Sequence, residues 1–342
     1  MEQTVVVTGS QGFIGGYIVQ EALKQNYKVI GIDNFSKYGQ VVRSFESNSN
    51  YNFVFGDCRD TDLLIETFKQ ADHVIAGAAM IGGISYFHNY AYDLLATNER
   101  IIASTCDASI EVMKLKKLKK VTYISSSMVY ESTDFWPSRE GDELKIAPPK
   151  SSYGFQKLAV EYFARAAWMQ YRLPYTILRP FNCVGIGEIK ANNEIEIKSG
   201  NLNLAMSHVV PDLIQKIIKG QNPLHILGDG TQERCYTYGG DIAKGIIDSL
   251  NNKNSINEDF NLSSKEVLNV IQVAEMIWSK VYGDTLNLSF NHDEPYIYDV
   301  QKRIPETIKA ENLLGFRADT RFENVLDELI PWIKSSIKKG LI

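Results

Sequence analysis

"VTGSQGFIGG", residues 7–16, decides the fold. It continues the β-branched run "TVVVTG" (4–9) and opens an apolar helical face at Phe13 and Ile14. Gly9, Gly12 and Gly15 fall three apart, a GxxGxxG spacing slightly looser than the usual dinucleotide fingerprint. Glycine there lets the backbone turn tightly and approach a pyrophosphate. The helix N-terminus adds free N–H groups and the positive end of its dipole.

Downstream, "KVIGID" (28–33), "NFVFGD" (52–57), "HVIAGAA" (73–79), "VTYISSS" (121–127) and "YTILRP" (175–180) are short, continuous apolar runs. Such runs suit a parallel sheet covered on both faces. Helical patterns near 13–25, 61–70, 92–117 and 153–171 separate them. The alternation predicts a doubly wound α/β (Rossmann) sheet. After Arg179 it stops. A polar stretch over 185–207 is too long for a routine connection and reads as a lid or a disordered segment. Helices are expected near 209–219, 240–251, 267–282 and 322–337, with a β-like run at 224–228. The expectation is a cofactor domain over 1–180, with a segment returning near 235–265, and a smaller, mostly helical substrate lobe over 181–342.

Composition narrows the classes. With 44% hydrophobic and 23% charged residues over 342, the chain has the balance of a soluble globular protein. A net charge of −5 gives no global field for nucleic acid or an acidic membrane. The run "KLKKLKK" (114–120) reads as the solvated end of a helix, since no aromatics are interleaved with its lysines. Cys58, Cys106, Cys183 and Cys235 are scattered, without CxxC spacing, and the five histidines are dispersed, so no metal pattern emerges. No signal peptide or long apolar run is visible, and the cytoplasm is the expected location.

Asp33 ends the second strand. A carboxylate there can accept from both ribose hydroxyls and repel a 2′-phosphate, which favours NAD over NADP; the alternative is an aspartate in a turn. Asp57, ending the third strand, is placed to reach the adenine amino group. "ISSSMVY" (124–130) brings three serines to the carboxyl edge of the sheet, where ligands bind in open α/β folds. In "SSYGFQKLAV" (151–160), Tyr153 and Lys157 are four apart on one helix face. A phenol of ordinary pKa about 10 is a poor base at neutral pH. A nearby ammonium and a positive nicotinamide ring stabilise the phenolate, and a serine hydroxyl can share the proton of a substrate alcohol. That set removes a proton from a carbinol while its hydride leaves.

These motifs, in this order, resemble the extended short-chain dehydrogenase/reductase family, and within it the NAD-dependent nucleotide-sugar epimerases and dehydratases. The similarity covers nearly the whole chain. It implies catalytic Tyr153, Lys157 and Ser126, and cofactor contacts at Gly9, Gly12, Phe13, Ile14, Gly15, Asp33, Asp57, Ala78 and Lys157. "LRPFNCVG" (178–185), "ILGDGTQERCYTYGGDIA" (226–243) and "QKRIPETIKAENLLGF" (301–316) resemble the segments whose Asn182, Arg234 and Arg303 would hold the diphosphate of a nucleotide-sugar. Ser127 and His208 would line the sugar. The serines can equally make turn and cap hydrogen bonds.

The residues after Ser126 discriminate within the family. The 4,6-dehydratases carry Asp then Glu there, and the decarboxylases a Glu at the second position. The 3,5-epimerases and fucose synthases have a Cys at that second position. Here Ser127 and Met128 stand instead, and Met128 reads as an apolar wall. "AAMIGGISYF" (78–87) and "SHVVPDLI" (207–214) nevertheless resemble the 3,5-epimerases and fucose synthases, whose acid matches His208. His208 either takes part in chemistry or lines the pocket and caps the helix that follows.

The expected reaction is inversion at C4 through a 4-keto sugar, with the small residues of "MIGGIS" (80–85) giving the ring room to turn. The alternatives are 3,5-epimerisation using His208, or 4,6-dehydration with acids such as Glu131 or Glu188. A non-catalytic NAD-binding regulator would be expected to lack Tyr153 or Lys157. The resemblance also implies a homodimer through the helices at 92–117 and 153–171.

Overall fold

The computed structural model describes residues 3–82, 90–115, 117–189, 208–283, 286–295 and 300–342. Most of the polar stretch 185–207, and Gly83–Ser85 of "MIGGIS", lie outside them.

The valines of the first run form β1 (Thr4–Thr8), followed by α1 (Phe13–Lys24) and β2 (Lys28–Asp33). Then come β3 (Tyr51–Phe55), α2 (Thr61–Phe68), β4 (His73–Ala76) and α3 (Ala91–Met113). The sheet continues through β5 (Lys120–Ile124), α4 (Ser152–Tyr171) and β6 (Tyr175–Pro180). Much later, β7 (Glu258–Leu262) adds the edge strand beside β6. The order is β7-β6-β5-β4-β1-β2-β3, all parallel. Strand order reverses between β1 and β4, which opens a crevice at their carboxyl ends.

Alternate side chains of each strand enter opposite cores. Val5 and Val7 pack with α1 and α6 (Gly239–Ser249), while Val6, Val121 and Tyr123 pack with α2, α3 and α4. A third core fills the remaining lobe. It is built by α5 (Val209–Ile218), α7 (Val270–Tyr282) and α9 (Phe322–Lys338), with α8 (Ile308–Leu314) returning to the sheet side. Short strands accompany these helices: 224–227 with 290–293, 183–184 with 237–238, and 233–235 between 267–269 and 302–303.

Three local expectations change. Residues 267–269 do not start a helix; they pair antiparallel with 233–235, and Asn269 then caps α7 in a reciprocal box with Gln272. β5 stops at Ile124, so Ser125, Ser126 and Ser127 lie just past the strand, with Ser127–Tyr130 in a 3₁₀ turn. The lysine run is not solvated throughout. α3 ends at Met113, and Lys120 opens β5 fully buried. Its Nζ donates to Thr176 Oγ1 (2.9 Å), the Ser249 carbonyl (2.6 Å) and Ser255 Oγ. Burial in this neutral cage lowers its pKa to about 7.

Candidate active site

The glycine loop folds tightly between β1 and α1. Gly9 adopts φ +75°, and its N–H and that of Ser10 donate to the Ile32 carbonyl. A Cβ on Gly15 would lie 1.9 Å from the Gly9 carbonyl oxygen, and one on Gly9 would lie 2.9 Å from Ala78 Cα. No larger residue fits either position without moving the loop. Gly12 caps α1 without a side-chain hydrogen bond, so the first-turn N–H groups face the crevice uncovered by any capping side chain. Phe13 turns its ring into the core against Tyr17, 5.8 Å between centroids, and Ile14 packs at the edge of the same core. Only the backbone of these two residues is placed to meet a ligand.

Asp33 stands beside this loop. Its carboxylate accepts from the N–H of Gln11 (3.0 Å) and of Phe35 (2.8 Å). Burial raises its pKa, opposed by those bonds and by the Arg43 guanidinium. Asp57 accepts from Arg59 Nε and Nη2 (3.0 and 2.6 Å) and from Asn34 Nδ2 (3.3 Å). The Arg59 hydrogen bond holds its carboxyl below the usual range. Ala78 N and Gly77 N both donate to Thr8 Oγ1 at 3.1 Å, which places the segment after β4 against Gly9. A pinched glycine turn, an uncapped helix start and an adjacent carboxylate fit a dinucleotide.

Across the crevice, Ser151 caps α4 by accepting from Gly154 N (3.0 Å), and Glu131 accepts from both Ser151 N (3.1 Å) and Ser151 Oγ (2.8 Å). This fixes the turn that carries Tyr153. Both bonds go to Oε2, and Glu131 Oε1 is buried with no hydrogen-bond partner among the described residues. Lys157 lies one turn further. Its Nζ donates to the Ile124 carbonyl (2.9 Å) and sits 6.0 Å from the Tyr153 ring centroid. Burial lowers its pKa to about 8. Burial also raises the Tyr153 phenol, against the pull of a Ser126 hydrogen bond and the fields of Arg303 and Lys37. The expected depression of the phenol by Lys157 is therefore not seen in this geometry; loss of hydration dominates.

The three serines separate. Ser126 Oγ accepts from Met128 N (3.2 Å) and bonds Tyr153. Ser125 Oγ turns away to donate to Glu161 Oε1 (2.7 Å). Ser127 is buried at the start of the 3₁₀ turn. Met128 packs against Leu94 and Tyr153 as the apolar wall its thioether suggested.

His208 occupies the N-cap position of α5, but its side chain makes no capping bond. Instead Nδ1 pairs with Glu188 Oε1 at 2.7 Å. Burial works against the Glu188 charge, yet His208 and Lys37 outweigh it and hold the carboxyl below its ordinary pKa. Asn182, at φ +39°, donates from Nδ2 to the Cys235 carbonyl (3.1 Å). Arg234 and Arg303 are register partners on neighbouring strands. The Arg234 guanidinium is held by the carbonyls of Glu233, Gln301 and Val300. Arg303 is the one whose charge reaches Tyr153.

Three residues escaped the sequence reading. Arg43 donates from Nη2 to the carbonyls of Gln11 (2.5 Å) and Gly12 (3.4 Å), bracing the glycine loop from outside. Lys37, over the Tyr38 ring at 4.8 Å, extends its field to Tyr153 and Glu188. Asn98 holds Met80 by both its N–H (2.7 Å) and its carbonyl (2.9 Å). The first two lie in an irregular segment after β2, where no spacing rule applies.

The chain is similar to known proteins over nearly its whole length. The profile of the NAD dependent epimerase/dehydratase family matches residues 5–263. A UDP-N-acetyl-alpha-D-glucosaminuronate decarboxylase from Bacillus cytotoxicus is 27% identical over 339 residues, covering 98% of each chain. The crystal structure of a UDP-glucuronic acid 4-epimerase from Bacillus cereus, with UDP-glucuronic acid and NAD, superposes with a TM-score of 0.80 at 26% identity. It covers 97% of this chain and 99% of that one. A UDP-glucose 4-epimerase from Thermotoga maritima shares the fold with a TM-score of 0.81 at 24% identity, over 98% and 99% of the two chains.

Proposed function

The chain belongs to the NAD dependent epimerase/dehydratase family, and we propose that it inverts a UDP-sugar at C4 with Tyr153, Lys157 and Ser126. It is an NAD-dependent nucleotide-sugar epimerase acting through transient oxidation at C4, in line with relatives named as UDP-sugar 4-epimerases. The observation that carries the residue assignment is the meeting of Ser126 and Tyr153 over Lys157, beside the glycine cradle.

Gly9, Gly12, the first-turn backbone of Phe13, Ile14 and Gly15, Asp33, Asp57 and Ala78 would hold NAD, with Lys157 at its far end. When bound, NAD supplies the hydride acceptor and donor, and a positive ring whose field favours the phenolate. Tyr153 Oη takes the proton of the C4 hydroxyl through Ser126 as the C4 hydride departs. Lys157 stabilises the resulting phenolate. Once the 4-keto sugar had turned and been reduced on its other face, Tyr153 would give the proton back to the C4 oxygen. Protons and electrons balance over the cycle, so no net oxidant is required. Asn182, Arg234 and Arg303 would bind the diphosphate, with Ser127 and His208 along the sugar.

We divide the chain functionally into residues 1–180 with the returning segment near 235–265, which bind the cofactor, and a lobe over 181–342 for the nucleotide-sugar. Phe155, Tyr162 and Met169 recur every seventh position as an exposed stripe on α4, which supports a homodimer through α3 and α4. Among the described residues no helix is long and apolar enough to cross a membrane. The four unpaired cysteines suit the cytoplasm.

The test is incubation with UDP-, GDP-, CDP- and dTDP-sugars in deuterated solvent, read by product NMR. Inversion at C4 of a UDP-sugar without deuterium at C3 or C5 is the expected result. Tyr153→Phe should lower turnover by about 10²–10⁴-fold, and unchanged turnover would refute the assignment. The His208–Glu188 pair favours a second reading, proton exchange at a carbon beside the C4 carbonyl. Deuterium at C3 or C5, lost in His208→Asn, is what that reading requires.

A further inference from the structure

Behind the active site lies a buried ion cluster that the reaction above does not use. Arg179, on β6, is wholly buried. Its Nε and Nη2 donate to the two oxygens of Glu161 (2.7 Å each), and Nη2 also reaches Asp259 Oδ2 (2.6 Å) and Glu143 Oε1 (2.9 Å). Arg165 joins Glu143 at 2.9 Å and Glu161 at 3.2 Å, and Lys309 joins Asp259 at 3.0 Å. Three cations face three carboxylates, and the attraction outweighs burial. The Asp259 carboxyl is held at about 2, against the burial that would raise it, by Arg179, Lys309 and Arg165.

Two hydroxyls carry this cluster outward in opposite directions. Toward the catalytic residues, Glu161 Oε1 accepts from Ser125 Oγ (2.7 Å), the immediate neighbour of Ser126. Glu161 itself stands one helical turn beyond Lys157 on α4. Toward the nucleotide-sugar lobe, Arg179 Nη1 donates to Tyr130 Oη (2.7 Å), which donates on to Asn261 Oδ1 (3.0 Å). Asn261 Nδ2 then donates to the carbonyls of Ser138 and Glu306, both at 3.2 Å. Ser138 N donates to the Ile304 carbonyl (2.9 Å), and Glu306 N to the Ser138 carbonyl (2.8 Å). Arg303 is thus flanked by a segment tied through four side chains, Asn261, Tyr130, Arg179 and Glu161, to the serine beside the catalytic hydroxyl.

We propose that Ser125, Glu161, Arg179, Tyr130 and Asn261 form a buried positioning relay that aims the Ser126 hydroxyl at Tyr153 and seats the segment carrying Arg303. None of the five touches the reacting atoms. Well-packed apolar residues would stabilise the fold as well as a buried ion cluster, or better; the hydroxyls at both ends give the cluster its direction. The inference rests on the assignment of Tyr153, Ser126 and Arg303 above.

Removing Glu161 or Arg179 would strand buried charges and endanger folding, so the two hydroxyls are the places to test. Ser125→Ala is expected to lower kcat about tenfold with KM unchanged. Tyr130→Phe keeps the ring stacked on Phe181 and is expected to raise KM for the UDP-sugar about tenfold with a smaller change in kcat. A second readout needs no turnover: the phenolate absorbance of Tyr153, taken as the difference from Tyr153→Phe during an alkaline titration. The charged groups that bear on this phenol are Arg303 and Lys37, with the Lys157 ammonium 6.0 Å from its ring. Ser125→Ala removes none of these charges, and its one contact with them is the Ser125 Oγ to Lys157 carbonyl approach at 3.5 Å. Loosening Ser126 should move the titration to higher pH. A folded Ser125→Ala protein with the parent titration overturns the relay, whatever the substrate proves to be. Failure of the unaltered enzyme on every nucleotide-sugar, with the titration still shifted, overturns the functional reading and leaves the relay standing. Parent KM in Tyr130→Phe removes the arm that reaches Arg303.

Discussion

Lys120 and Lys157 meet the two ends of the same strand. Lys120 opens β5 and Lys157 donates to the carbonyl of its last residue, Ile124. Both ammonium groups are buried, neither pairs with a carboxylate among the described residues, and burial lowers both, to about 7 and about 8. Their surroundings differ entirely. At the carboxyl end stand the glycine turn, the Ser126–Tyr153 contact and Arg303. At the amino end stand two hydroxyls, a carbonyl and the imidazole of His73. A perturbed lysine therefore does not mark a site; the company of groups able to hold a cofactor and move a proton does.

The contrast can be broken most decisively on the catalytic side. Lys157→Met should lower turnover by about 10²–10⁴-fold and leave the urea unfolding midpoint at neutral pH unchanged or raised. Turnover close to the parent's would place Lys157 with Lys120 as a structural residue. Lys120→Met should give the reverse pattern, with retained turnover and a changed pH dependence of stability. Below about pH 7 both folded and unfolded chains carry the Lys120 proton, and the desolvation cost is fully present. Between about 7 and the ordinary value of about 10.4, the unfolded chain holds more protons, so stability climbs with pH. A gap of about three units corresponds to roughly 4 kcal/mol. Lys157 contributes with the same sign from about pH 8 upward. Urea midpoints at about pH 6 and pH 9 should rise steeply in the parent and less in Lys120→Met; equal slopes would mean that Lys120 keeps an ordinary pKa.

The smallest effect falls on a neighbour. His73 is depressed to about 4, first by burial and then by Lys120 and Lys119. Lys120→Met should raise it, by NMR titration, while leaving it short of the ordinary value near 6.5. A His73 pKa that does not move would show that burial and Lys119 set it without Lys120.

What the sequence disclosed, and what it hid, follows the range of the interactions. The glycine turn, the strands through Pro180 and the pair Tyr153–Lys157 were legible because each depends on spacing within a few residues. Lys120 was misread because "KLKKLKK" carries no mark of where the strand begins, and only the sheet supplies its cage from residues 176, 249 and 255. Arg179 passed as part of an apolar strand, its partners lying at 130, 143, 161 and 259. His208 was legible as a candidate, but its choice of Glu188 over the helix cap was not. Arg43 and Lys37 sit in a segment whose path is set by what it packs on.

One rod, α4, bears Tyr153 and Lys157 on its buried face and the stripe Phe155, Tyr162 and Met169 on the other. In the proposed homodimer, a subunit docked on that stripe would grip the back of the helix that carries Tyr153 and Lys157. Association and turnover then become linked by mass action. Specific activity should fall as the enzyme is diluted below the concentration at which its subunits separate, and recover on reconcentration.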